Sequence, residues 1–140
     1  MDILSKSADR DVLLTGREIY QALLQTPALN VNRICAMIAV EVPIRSKSFY
    51  RGAYNIYKHF VVLCKYELDD LLGIPIKILR FIAESSNGIF DQDTTWNTIR
   101  KIKSKRMSNQ SVWAYVKTVK IARQNDLKMA VQFSGASQNA

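Results

Sequence analysis

The chain has 140 residues, 48% of them hydrophobic, which suits one globular domain able to bury a core without disulfides or metal. No apolar run approaches the roughly 20 residues of a membrane span, and the segment MDILSKSADRD has neither a basic n-region nor an apolar h-region, so a soluble cytoplasmic chain is expected. The formal net charge is +8 and it is unevenly placed: residues 1–94 hold eleven Lys/Arg and eleven Asp/Glu, residues 95–140 nine Lys/Arg and one acid.

In chain order, residues 1–14 read as a loose arm, and Thr15-Gly16-Arg17-Glu18 as a capping box that opens a helix. Ile19, Leu23 and Leu24 give that helix an apolar face with Tyr20 beside it, and Thr26-Pro27 stops it. Asn30 or Asn32 can cap the next helix, whose ICAMIAVEV segment is apolar on nearly every side and is therefore central in a core or a subunit contact. Beyond Pro43, SFYRGAYNIYKHFVVLCKY reads as an aromatic-rich helix. Its Phe60-Val61-Val62-Leu63 run has strand propensity, but the flanking spacing favours helix. Cys35 and Cys64 lie in apolar helical patterns with no CxxC spacing, so buried free thiols are expected, and the lone His59 reads as a partly exposed or core-satisfied ring.

Tyr66 to Ser85 reads as a short helix, a sharp turn and a second helix. Leu68, Leu71 and Leu72 line the first helix, Gly73 supplies a positive φ, Pro75 fits the first turn of the second helix, and Ile78, Leu79 and Ile82 are buried. With Gly73 as turn glycine, Ile74, Leu79 and Ile82 fall one, six and nine residues after it, in the places of a helix-turn-helix. Asp69 takes the position where a small apolar residue is usual, so either the helices cross at another angle or the carboxylate turns outward. An ordinary αα-hairpin has the same pattern.

Ser85-Ser86-Asn87-Gly88 is a helix stop, and Asp91, Asp93, Thr94 and Thr95 offer caps for a helix with Trp96, Ile99 and Ile102 on one face. Arg100, Lys101, Lys103, Lys105 and Arg106 fall on its other faces. After an interruption at Ser108-Asn109-Gln110-Ser111, VWAYVKTVKIARQ sets Val112, Val116 and Val119 with Tyr115 inward and Lys117, Lys120 and Arg123 outward; residues 129–140 have the composition of a frayed tail. The expectation is an all-α chain of about six helices: a core and dimer region over 15–94 and basic helices over 95–128.

No nucleophile–base pair, metal-ligand cluster or glycine-rich phosphate loop is evident, so no catalytic residue, metal or cofactor is assigned and a non-enzymatic role is expected. Cations this dense and short of acidic partners suit a polyanion, with Ser104, Ser108, Asn109 and Gln110 as further phosphate donors; the competing reading is a solvated charged face. Trp96 and Trp113 suit base stacking or, among valines and isoleucines, a core. On the second helix of the turn motif, Lys77 and Arg80 are the candidates for base or phosphate contact.

From about Asn30 to Arg123 the order of features resembles the FlhD family, the small all-α subunit of the enterobacterial flagellar master activator, with mobile-element relatives that switch on conjugation genes. The residues carrying the resemblance are the apolar helix after Asn30, Phe49-Tyr50-Arg51-Gly52, Leu71-Leu72 leading to Pro75, IKILRFIAES with Asn87 after it, Phe90-Asp91 and a last helix. Pro75 to Glu84 is similar to the family's PQLVKLAE stretch. This chain has additional residues before Asn30 and between Gly52 and Leu71, and a denser basic run at 100–106. The resemblance implies a homodimer built on the early helices, and assembly with a zinc-bearing FlhC-like partner into a DNA-binding transcription activator that recruits RNA polymerase. Other readings of the same charge are an adaptor docking on an acidic protein, a plasmid partition or replication regulator, and an RNA-binding module.

Overall fold

The structure, a computed structural model, describes the backbone of residues 2–85 and 88–138 and the side chains of residues 10–85 and 88–130. Among the described residues it is all-α: α1 (Asp2–Gln25), α2 (Val31–Glu41), α3 (Lys47–Ile56) running into a π-helical segment (Tyr57–Leu63), a 3₁₀ turn (Leu68–Leu71), α4 (Ile76–Ala83), α5 (Gln92–Lys105) and α6 (Asn109–Gln138). Ser86 and Asn87, at the expected stop, and Asn139 and Ala140, at the end of the expected tail, lie outside the described residues. No helix among the described residues is long and apolar enough to cross a membrane. The chain divides into two compact units, Met1–Glu84 and Ser85–Ala140.

In the first unit, α3 is the central helix and packs against α1, α2 and α4. Its sequence explains this: Tyr50, Gly52, Ala53, Tyr54 and Ile56 are all buried, more of the circumference than one neighbour covers. Ile19 of α1 and Ile34 and Cys35 of α2 close one side of the core on Tyr50 and Tyr54. Leu71, Ile74, Ile78, Leu79 and Ile82 are almost wholly buried, as are Phe60 and Cys64 after α3. Both cysteines are buried and neither forms a disulfide.

Several elements depart from expectation. The Thr15 capping box does not start a helix: α1 begins at Asp2, and the Thr15 hydroxyl donates to the Asp11 carbonyl one turn back, a bond open to threonine inside a helix. Gly16 is instead a packing residue. A Cβ there would lie 2.8 Å from the Ala53 carbonyl carbon and 2.9 Å from the Tyr57 Cβ, so α1 crosses α3 where only hydrogen fits. Of the two readings of the apolar α2, the central one does not hold: it buries Ile34 and Cys35 while Met37 and Val40 stay exposed, as do Val42 and Ile44 just after it. The segment at Phe60 is helical, as its flanking spacing favours, but widened to π geometry.

The expected first helix of the turn motif is only the four-residue 3₁₀ turn, because Gly73 at φ 91° and Pro75 close the segment before an α-helix can propagate. Asp69 turns outward, its carboxylate 3.4 Å from Arg10. The second helix, α4, buries Ile78, Leu79 and Ile82 as its spacing predicts.

In the second unit, Asp91 caps α5 by accepting from the Thr94 N–H at 2.8 Å. The buried face of α5 is Thr95, Thr98, Ile99 and Ile102, with Trp96 partly exposed at its edge. Both threonines tolerate burial because their hydroxyls donate to backbone carbonyls, Thr95 to Phe90 and Thr98 to Thr94. Arg106 ends α5 in the left-handed region, and the interruption before α6 shrinks to residues 106–108 because Ser108 accepts from the Ser111 N–H. Val112 and Val116 of α6 are buried and Val119 is half-buried. α6 is longer than the segment its valine stripe marks.

Candidate nucleic-acid interface

Five of the expected contact residues, Arg100, Lys101, Lys103, Lys105 and Arg106, are exposed at the C-terminal end of α5 and its cap; on α6 Lys117 is exposed and Lys120 half-buried. With Thr95, Thr98, Ile99 and Ile102 forming the buried face of α5, a helix of 3.6 residues per turn sets Lys103 and Lys105 about 160° apart, at the two edges of that face. Arg100 shares the Lys103 flank and Lys101 the Lys105 flank. The Lys101 flank is the one that meets α6, with Lys101 Nζ 5.1 Å from the centre of the Tyr115 ring. On α6 the same periodicity sets Lys117 and Lys120 on the flank away from Tyr115, and Lys117 Nζ lies 5.5 Å from the centre of the Trp113 ring. Cation–ring contact holds an ammonium in place without neutralising it.

Lys128, not singled out from the sequence, continues the Lys117 flank three turns on and is exposed. Its signal was the spacing of eleven residues from Lys117.

Arg123 and Arg80 are bound to groups of the fold. Arg123 donates from Nε to the Ile89 carbonyl at 3.2 Å and from Nη2 to Asp91 at 3.3 Å, tying α6 to the start of α5. The Thr94 hydroxyl and N–H hold the Asp91 carboxyl below its ordinary value, with Arg123 adding to the effect and burial partly opposing it. Arg80, on α4 of the first unit, donates from Nε to Glu84 at 2.8 Å and from Nη2 to Ser48 of α3 at 3.0 Å. Its guanidinium therefore lies along α3, over Gly52, where a Cβ would come within 2.9 Å of it. Lys77 is exposed on the same helix. No protein-family model, no curated protein and no solved structure matches the chain.

Proposed function

We propose that the chain is a DNA-binding transcriptional regulator whose basic helices α5 and α6 hold the phosphate backbone. The observation supporting this is the exposure of Arg100 and Lys103 on α5 and of Lys117 on α6, in a segment almost without acids. Tryptophans on the same flanks, Trp96 and Trp113, suit packing against sugar or base. Arg123 and Arg80 serve the fold in this reading, leaving Lys77 as the contact candidate on α4. The protein acts as a non-enzymatic, cytoplasmic FlhD-like activator subunit. It dimerises through the exposed apolar residues of α2 and works with an FlhC-like partner and RNA polymerase, as the family resemblance implies.

Gel-shift titration tests the reading. Four phosphate contacts should cost on the order of a hundredfold in affinity between about 50 and 200 mM salt. Charge reversal at Lys103 and Lys117 together should weaken binding more than reversal at Lys101 and Lys105, with the far-UV helical signal intact. Unchanged affinity in both variants removes the DNA role from these helices.

A second reading draws on Ile121, which is 58% exposed one turn from Lys117. Phosphate binding has no use for an exposed isoleucine among lysines, whereas an adaptor docking on an acidic, partly apolar protein surface does.

A further inference from the structure

The groove between α3 and α4 of the first unit is an open cavity of about 610 Å³, within the size range of small-molecule sites. Three cations line it, Lys47, Arg51 and Arg80, with the polar side chains of Ser48 and Asn55 and a single carboxylate, Glu84. That carboxylate is already engaged, accepting from Arg80 at 2.8 Å and from Asn55 at 3.2 Å. Lys47 and Arg51 stand one helical turn apart on the same face of α3, and neither has an ion-pair partner among the described residues. Like charges at this spacing repel. The first turn of α3 also lacks an acid, so the positive end of the helix dipole adds to the same field.

We propose that this groove is a binding site for a small hydrophilic anion carrying more than one phosphate or carboxylate group. Lys47 and Arg51 supply charge that no ion pair balances among the described residues. Arg80 supplies a guanidinium already oriented by Ser48 and Glu84, so little ordering remains to be done on binding. Gly52 is what admits that guanidinium to the surface of α3. Ala83 is the sole apolar lining residue and no ring faces the cavity, so the ligand has neither an aromatic base nor an apolar body. The site stands apart from the DNA reading, since Lys47, Ser48, Arg51 and Asn55 all belong to α3 and none to the basic helices.

The test is calorimetric titration of the full chain with inorganic pyrophosphate and, separately, citrate, against chloride at matched ionic strength. The two arms distinguish a phosphate from a carboxylate ligand. Saturable one-to-one binding of at least one probe is expected. It should weaken at least tenfold in K47Q/R51Q and also in G52A, whose added methyl displaces the Arg80 guanidinium. It should persist in R17Q/R33Q, which removes two exposed cations elsewhere in the unit. Binding of neither probe beyond the chloride control overturns the proposal, as does equal weakening in R17Q/R33Q. Loss of DNA affinity in K47Q/R51Q with no probe bound also overturns it, and assigns the groove to nucleic acid.

Discussion

Replacing Gly16 by alanine sets two known effects against each other, and the structure decides the sign. Inside a helix, alanine is favoured over glycine by about 1 kcal/mol. Here, however, the new methyl would lie 2.8 Å from the Ala53 carbonyl carbon, nearer still to its oxygen, and 2.9 Å from the Tyr57 Cβ. Carbon atoms rest at about 3.5 to 4.0 Å, so α1 and α3 must separate by roughly an ångström. The obstacle is backbone of the central helix, which α2 and α4 hold from other sides and which cannot rotate away. Overpacking of this kind costs about 3 kcal/mol, leaving a net loss of about 2 kcal/mol after the propensity gain. In urea, followed by the helical circular-dichroism signal, the unfolding midpoint should fall by roughly 1 M. Gly52→Ala is the comparison, because the three atoms nearest its methyl belong to the Arg80 guanidinium, a side-chain end that can swing aside at the cost of its bonds to Glu84 and Ser48, and its loss should be the smaller of the two. A midpoint for Gly16→Ala at or above that of the parent would refute the close crossing of α1 and α3.

Two pH-dependent effects follow from named groups. Asp91→Ala should cost about 1 kcal/mol of stability through the lost cap. Because the folded-state pKa of Asp91 lies below its ordinary 3.8, its contribution is complete above that pH and is lost as pH falls through the lower folded value. The difference between parent and variant in thermal unfolding should therefore be constant near neutrality and shrink only in acid. Burial beside Phe60 lowers the His59 pKa from 6.5, so the folded state resists protonation. Stability from this group is complete above about 6.5 and falls as acid approaches the folded value, and His59→Gln should flatten that part of the pH profile.

The helices were legible wherever burial follows a simple period. Ile78, Leu79 and Ile82 on α4 and Val112 and Val116 on α6 lie inward as their spacing predicts. Misreadings came where one residue type serves two purposes. Thr15 and Glu18 match a helix start, yet the same hydroxyl bonds equally well to a carbonyl four residues back. Gly16 looked like part of that box because a close helix crossing leaves no mark in sequence until the partner, Ala53, is known. Thr95 and Thr98 displaced Trp96 from the buried face because their hydroxyls are satisfied locally, something hydrophobicity alone does not encode. Among the cations, charge counting found the basic end but could not tell Arg123, bound to Ile89 and Asp91, from Lys117. It also passed over Lys47 and Arg51, because the first 94 residues are neutral in sum while the imbalance there is local.

Arg106 ends α5 with φ 47° and ψ 51°, a conformation that glycine adopts freely. Retaining a Cβ there costs about 1 kcal/mol. The joint between the two basic helices is thus held slightly taut by one of the cations it presents. Firmness of the hairpin and attraction for a polyanion pull against each other at this single residue: relaxing the joint with glycine would subtract a positive charge from its tip.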